Sequence, residues 1–172
     1  LSTSGGASGL TDVATGQAIV LVQNGNSIEG HVGNAAGATA FVITVAGNGD
    51  VTLDQQRALT HPNAANADDA VSLAAGAIIL TASATDKDGD SASAPLQIGN
   101  ALTFKDDGPS ISVNANAVPS LTVDESNLAV NATANFANNF SQSFGADGAG
   151  TLTYTLSTSG GASGLTDVAT GQ

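Results

Sequence analysis

The first seventeen residues of this chain, Leu1-Ser-Thr-Ser-Gly-Gly-Ala-Ser-Gly-Leu-Thr-Asp-Val-Ala-Thr-Gly-Gln17, recur without one change as Leu156 to Gln172. Residue 1 returns as residue 156, so the period is 155 residues. Identity over such a stretch is not accidental. It implies one full repeat followed by a seventeen-residue overlap into the next copy, as expected of a piece of a tandem array. Arrays of this kind work by length and multiplicity, each unit touching its neighbours, so a unique active site in any one copy is not expected. The expected partners are therefore neighbouring identical repeats of the same chain.

Composition then removes whole classes of function. Three basic residues stand against 15 acidic ones, a net charge of -12. Tracking phosphates requires clustered Lys and Arg, so nucleic acid is not an expected partner. With no Cys there are no disulfides and no zinc-thiolate site. No apolar run approaches the ~20 residues that cross a bilayer, so direct membrane insertion is not expected, and any export signal is expected elsewhere. A mean hydropathy of +0.13 is enough for a core to form. Self-repulsion at this charge costs stability, and Arg57, Lys87 and Lys105 are too few to relieve it. In a thiol-free chain whose only histidines are His31 and His61, carboxylate oxygens suit Ca²⁺ better than a transition metal.

Short runs that alternate apolar and small polar residues, separated by Gly, Asn and Asp, point to strands and turns rather than helices. Strands are expected over 18–23, 27–32, 39–46, 51–54, 77–85, 91–98, 101–104, 110–114, 120–123 and 151–157. Such a series implies an all-β fold, an antiparallel immunoglobulin-like β-sandwich elaborated with extra strands or an insertion. Phe41, Phe104, Phe136, Phe140, Phe144 and Tyr154 are its few large core candidates, and the segment around Phe136 to Phe144 is expected as a loop or short helical turn plugging one end. Asp106-Asp107-Gly108-Pro109 has linker composition. Residues 1–109 then hold most of one module. Residues 110–172 either begin the next or complete the same 155-residue unit in cis.

The densest chemistry is Asp86-Lys87-Asp88-Gly89-Asp90, expected at a hairpin tip, where three carboxylates within five residues repel unless a cation sits among them. An EF-hand is excluded, because Ser91 and Gln97 stand where its sixth-position Gly and twelfth-position Glu belong. Further candidate metal ligands are Asp106 and Asp107 at the linker, Asp124 and Glu125 after the following strand, and Asp147; the tip and the linker acids could converge at one end of the sandwich. Asp50, Asp54 and the acids within Asn66 to Asp69 are weaker candidates. Neither histidine has a Cys or spaced His partner, and no nucleophile elbow or phosphate loop occurs, so the chain is not expected to be an enzyme.

Together, Ser8-Gly9-Leu10-Thr11-Asp12 with Ala14-Thr15-Gly16-Gln17, Thr85-Asp86-Lys87-Asp88-Gly89-Asp90-Ser91, Phe104-Lys-Asp-Asp-Gly-Pro109, Val123-Asp124-Glu125-Ser126 and Phe144-Gly-Ala-Asp-Gly148 resemble the tandem extender repeats of giant RTX-type bacterial adhesins exported by type I secretion. The resemblance covers essentially the whole 155-residue unit. It implies a Ca²⁺-bound, immunoglobulin-like spacer on the bacterial cell surface, with a distal adhesion domain and an anchor elsewhere in the protein. It also implies Ca²⁺ ligands at Asp86 to Asp90, at Asp106 and Asp107, and at Asp124 and Glu125. The alternative expectation is a module that itself binds carbohydrate, ice or a host surface, for which Thr151, Thr153 and Thr155 offer a short polar ladder.

Overall fold

The computed structural model describes residues 1–3 and 5–170. Its strands are β1 (Ser2–Thr3), β2 (Gly6–Thr11), β3 (Ala18–Asn24), β4 (Ser27–Val32), β5 (Thr39–Val45), β6 (Val51–Gln55), β7 (Ala70–Ser72), β8 (Ile78–Thr85), β9 (Ser91–Gln97), β10 (Thr103–Lys105), β11 (Ser110–Val113) and β12 (Phe140–Ser143). Single 3-10 turns are the only helical elements among the described residues, and no helix is long and apolar enough to cross a membrane. All paired strands are antiparallel.

One layer is a five-stranded meander in the order β2-β3-β4-β5-β6. It forms where apolar residues alternate. On β4, Ile28, Gly30 and Val32 point inward while Ser27, Glu29 and His31 do not, the period of two that a half-buried strand requires. Across the β4–β5 pair Gly30 faces Phe41, and a Cβ on Gly30 would run into the Phe41 ring. That glycine makes room for the largest side chain of the sheet.

The opposing layer is the pair β7–β10 together with β1 and the base of β8. It contributes Leu73, Ile78, Leu102 and Phe104, which pack with Ile19, Leu21, Ile28, Ile43 and Phe41 into one continuous core. Phe41 and Phe104 meet between the layers with ring centroids 5.0 Å apart. The all-β antiparallel sandwich expected from the sequence is therefore what is observed.

Every fully buried apolar residue of that core lies between Leu10 and Phe104. Beyond it, β11 and β12 pair only with each other. All the large apolar side chains that are strongly exposed among the described residues, Leu96 apart, lie between Ile111 and Val168. The expected strands at 120–123 and 151–157 are not strands. Alternation supplies the propensity, but a strand also needs a neighbour to take its N–H and C=O groups, and among the described residues these segments pair with none. Phe136, Phe140 and Phe144 are half-buried rather than core residues. A 3-10 turn at Ala137–Asn139, as expected for this segment, leads into β12, and Phe140 meets the exposed Tyr154 in a tilted contact with ring centroids 5.8 Å apart.

Candidate metal centre

Strands β8 and β9 pair from Ile79↔Gln97 to Thr85↔Ser91, and every residue from Thr81 to Gln97 is exposed. The hairpin thus projects from the core, and its tip is Asp86 to Asp90. The turn is closed by Asp86 N–H donating to the Asp90 carbonyl at 2.9 Å and by Thr85 Oγ1 and Ser91 Oγ at 2.7 Å. Asp86 Oδ1 accepts the backbone N–H of Gly89 at 3.0 Å and of Asp90 at 2.8 Å. Gly89 has φ of +105°, a conformation side chains resist, which explains a glycine between two aspartates.

This local geometry draws the acids together. Carboxylate oxygens of Asp86, Asp88 and Asp90 lie within 4.8 Å of one another, the only such set of three or more acids or histidines among the described residues. The neighbouring Asp88 carboxyl, which lowers the Asp86 pKa only insofar as it shares a proton with it, and then the backbone N–H groups of Asp90 and Gly89 hold the Asp86 carboxyl below its ordinary range. Three hard oxygen donors on an exposed turn match the needs of Ca²⁺, which takes six to eight oxygens and accepts water among them. The donor set fits that ion and offers nothing to a soft metal.

The remaining candidate ligands are elsewhere. Asp106 donates its N–H to the Asp69 carbonyl at 2.8 Å, and Asp107 Oδ2 accepts the Ala146 N–H at 3.1 Å. That contact brings the Ala146-Asp147 turn to the linker acids, an approach made possible by Gly145, where a Cβ would strike the Asp107 carbonyl. Asp124 caps a 3-10 turn, accepting the Ser126 N–H at 2.8 Å, a bond that lowers its carboxyl from the usual value. Asp124 and Glu125 border a shallow recess with Leu128, Val130 and Leu165. None of these five acids joins the hairpin cluster, because the hairpin carries its tip away from the body of the fold.

Two polar constellations were not singled out by sequence reasoning. Asp12, 1% exposed, accepts Arg57 Nε at 2.7 Å and Nη2 at 3.1 Å, plus the Thr15 N–H at 3.0 Å and hydroxyl at 2.7 Å. The Arg57 hydrogen bond, first among these, holds the Asp12 carboxyl low despite burial. The available signal was the Asp-x-x-Thr turn pattern and the fact that the chain has a single arginine. On β4, His31 places Nδ1 2.8 Å from the Gly37 carbonyl and Nε2 2.8 Å from Glu29 Oε2. Both partners are acceptors, so only the doubly protonated ring satisfies them, and the His31 pKa is raised, chiefly by the Gly37 bond. His61 is half-buried, and among the described residues its Nδ1 has no hydrogen-bond partner.

Fold and site together define an all-β antiparallel sandwich with an acidic hairpin tip. The family model for a domain of unknown function (DUF5801) matches residues 1–99 and 120–172, and the chain belongs to that family. No curated protein and no solved structure matches it.

Proposed function

We propose that the chain is a spacer unit of a long bacterial cell-surface adhesin, repeated in tandem outside the cell and stiffened by Ca²⁺ at its acidic turns. The observation that carries this reading is the 155-residue period with its identical seventeen-residue ends, since units repeated in tandem make length rather than a unique site. The Asp86, Asp88 and Asp90 cluster supports the ion. The two matched family segments leave 100–119 between them, the stretch containing the Asp106-Asp107-Gly108-Pro109 linker, which suits a module boundary there. A distal adhesion domain, a surface anchor and export by type I secretion belong to the same proposal, as does the absence of catalysis.

In this proposal Ca²⁺ removes the repulsion at the hairpin tip, while the linker acids Asp106 and Asp107, with Asp147 beside them, receive a shared ion at the junction of consecutive units. A site with a dissociation constant of ~0.1 mM in ~10 mM Ca²⁺ contributes about 2.7 kcal/mol. The test is thermal unfolding in EDTA and across a Ca²⁺ titration, with Mg²⁺ as control and small-angle scattering on the same samples. Expected are a midpoint that climbs with Ca²⁺ but little with Mg²⁺, and narrower dimensions. Unchanged stability and compactness on chelation would overturn the calcium role.

A further inference from the structure

The two edges of β8 differ. The edge toward β9 is paired from Ile79↔Gln97 to Thr85↔Ser91. Among the described residues, the other edge is met only by β1, at Ile78 and Ile79. The Ile78 carbonyl accepts the Ile98 N–H at 3.0 Å and so faces the β9 side; by the alternation of a strand, the N–H and C=O groups of Thr81, Ser83 and Thr85 face the open side. Such a row is a template for one more strand. The hairpin also sorts its side chains. Leu80, Ala82 and Ala84 share a face with the buried Ile78 and oppose Leu96, Ala94 and Ala92, while Thr81, Ser83 and Thr85 lie on the other face and oppose Pro95, Ser93 and Ser91.

In a tandem array the residues that run into Leu1 are those that run into the identical Leu156, namely Thr151-Leu152-Thr153-Tyr154-Thr155. The β1–β8 register, Ser2↔Ile79 and Thr3↔Ile78, fixes where they fall when β1 is continued backward. Thr155 comes opposite Thr81, Tyr154 opposite Ala82, Thr153 opposite Ser83, Leu152 opposite Ala84 and Thr151 opposite Thr85. Nothing in this placement is adjustable. It nevertheless sets Tyr154 and Leu152 on the apolar face and all three threonines on the hydroxyl face, whereas a slip of one residue would reverse every one of them.

We infer that residues 151–155 of each unit pair with the open edge of β8 in the next unit, lengthening β1 and making the β8–β9 hairpin part of a sheet three strands wide along its whole length. A two-stranded ribbon is marginal in water, and a third strand sharing its apolar face stabilises it. The added strand is contiguous with β1, so closing it costs little chain entropy. Between the Ala146 N–H held by Asp107 of one unit and the sheet of the next, only Asp147 to Gly150 remain, which limits the swing between units without an ion. The inference rests on the tandem-repeat part of the proposed function and not on calcium.

The test is a chain of two periods, residues 1–155 followed by 1–172, which has no cysteine until one is placed in each unit. Tyr154→Cys in the first unit and Ala82→Cys in the second, both at exposed positions, should form a disulfide on mild oxidation, in EDTA as in Ca²⁺. Tyr154→Cys with Ser83→Cys, one residue out of register, should not. The Tyr154→Cys and Ala82→Cys pair in the 172-residue chain should stay unlinked within the molecule. No link in register, equal linking out of register, or an intramolecular link in the single unit overturns the inference. A second measurement needs no substitution. Prefixing residues 146–155 to Leu1 should slow hydrogen exchange of the Thr81 and Ser83 amides by about tenfold or more, and unchanged exchange overturns the inference. Sequencing upstream of Leu1 in the intact protein reads the tandem arrangement by itself, and agreement between EDTA and Ca²⁺ separates the calcium reading.

Discussion

Replacing Asp12 and Asp167 by alanine is the same change in the same seventeen-residue context, and the two should differ by more than a factor of ten in unfolding equilibrium. Asp12 is 1% exposed and accepts four hydrogen bonds, two from Arg57 and two from Thr15. Bonds to a charged group are worth about 1.5–3 kcal/mol each taken singly, but they are not additive. The Arg57 side chain is 31% exposed and recovers part of its hydration once the carboxylate is gone. The net cost of Asp12→Ala is therefore about 2–3 kcal/mol. Asp167 is exposed and keeps only the Thr170 bonds, so its removal should be close to neutral. Arg57→Ala leaves the buried Asp12 carboxylate without its counter-charge and should cost more than either. Urea unfolding followed by circular dichroism reads all three as midpoint shifts at constant slope, about 1 M or more for Asp12→Ala at a slope of ~2 kcal/mol/M. Equal shifts for Asp12→Ala and Asp167→Ala, or a milder effect for Arg57→Ala than for Asp12→Ala, would refute this account of the Asp12 and Arg57 pair.

Other outcomes follow from the same contacts. Asp12 and Glu29 have lowered carboxyl pKa values, so the stability they add is present above the ordinary values of 3.8 and 4.5 and is lost as pH falls through the folded ones; acid titration of the unfolding midpoint should show a steep loss below about pH 4. His31 has the opposite sign: its contribution is full below its ordinary 6.5 and fades as pH rises through the raised value, so His31→Gln should cost more at pH ~5.5 than at pH ~9. Gly30→Ala should destabilise by about 1–3 kcal/mol through collision with the Phe41 ring, and a neutral result in thermal melts would contradict that packing. Asp88→Asn should be neutral or slightly stabilising in EDTA, where it removes repulsion, and destabilising relative to wild type in Ca²⁺; the same sign in both media would argue against an ion at the tip. Hydrogen exchange in EDTA should be far faster over Thr81 to Gln97 than over β3 to β5, because that hairpin has no core beneath it.

How far the sequence could be followed depended on whether the deciding contact was local. The edges of β4 were legible to the residue and those of β3, β5 and β6 to within one or two, since alternation and the Asn24-Gly25 and Asn48-Gly49-Asp50 turns are contained in the strands and their connections. Strands β1 and β2 were not legible, because a Ser/Gly/Thr stretch becomes a strand only when the edges of β3 and β8 recruit it. The converse error occurred at Thr151 to Ser157, where alternation without a neighbour leaves no strand. The acidic tip was legible because its acids sit within five residues of chain, whereas the Asp12 and Arg57 lock spans 45 positions and the Asp107 contact with Ala146 spans 39.

The distribution of negative charge separates acids that fold the chain from acids that do not. Arg57 neutralises Asp12, His31 pairs with Glu29, and Lys105 bridges Asp68 at the surface. Asp86 has a structural task of its own, since its Oδ1 takes both amides of the hairpin turn. Turn chemistry accounts for that residue and for Gly89, and it ends there. Among the described residues neither the Asp88 nor the Asp90 carboxylate has a side-chain hydrogen bond. Two further charges have thus been placed within 4.8 Å of the first, on a two-stranded ribbon with no core to offset the repulsion. Solvation tolerates such a cluster but gives no reason for it. Under the proposed calcium role a divalent cation would supply that reason, because the same three carboxylates that raise the energy of the bare hairpin would become its ligands.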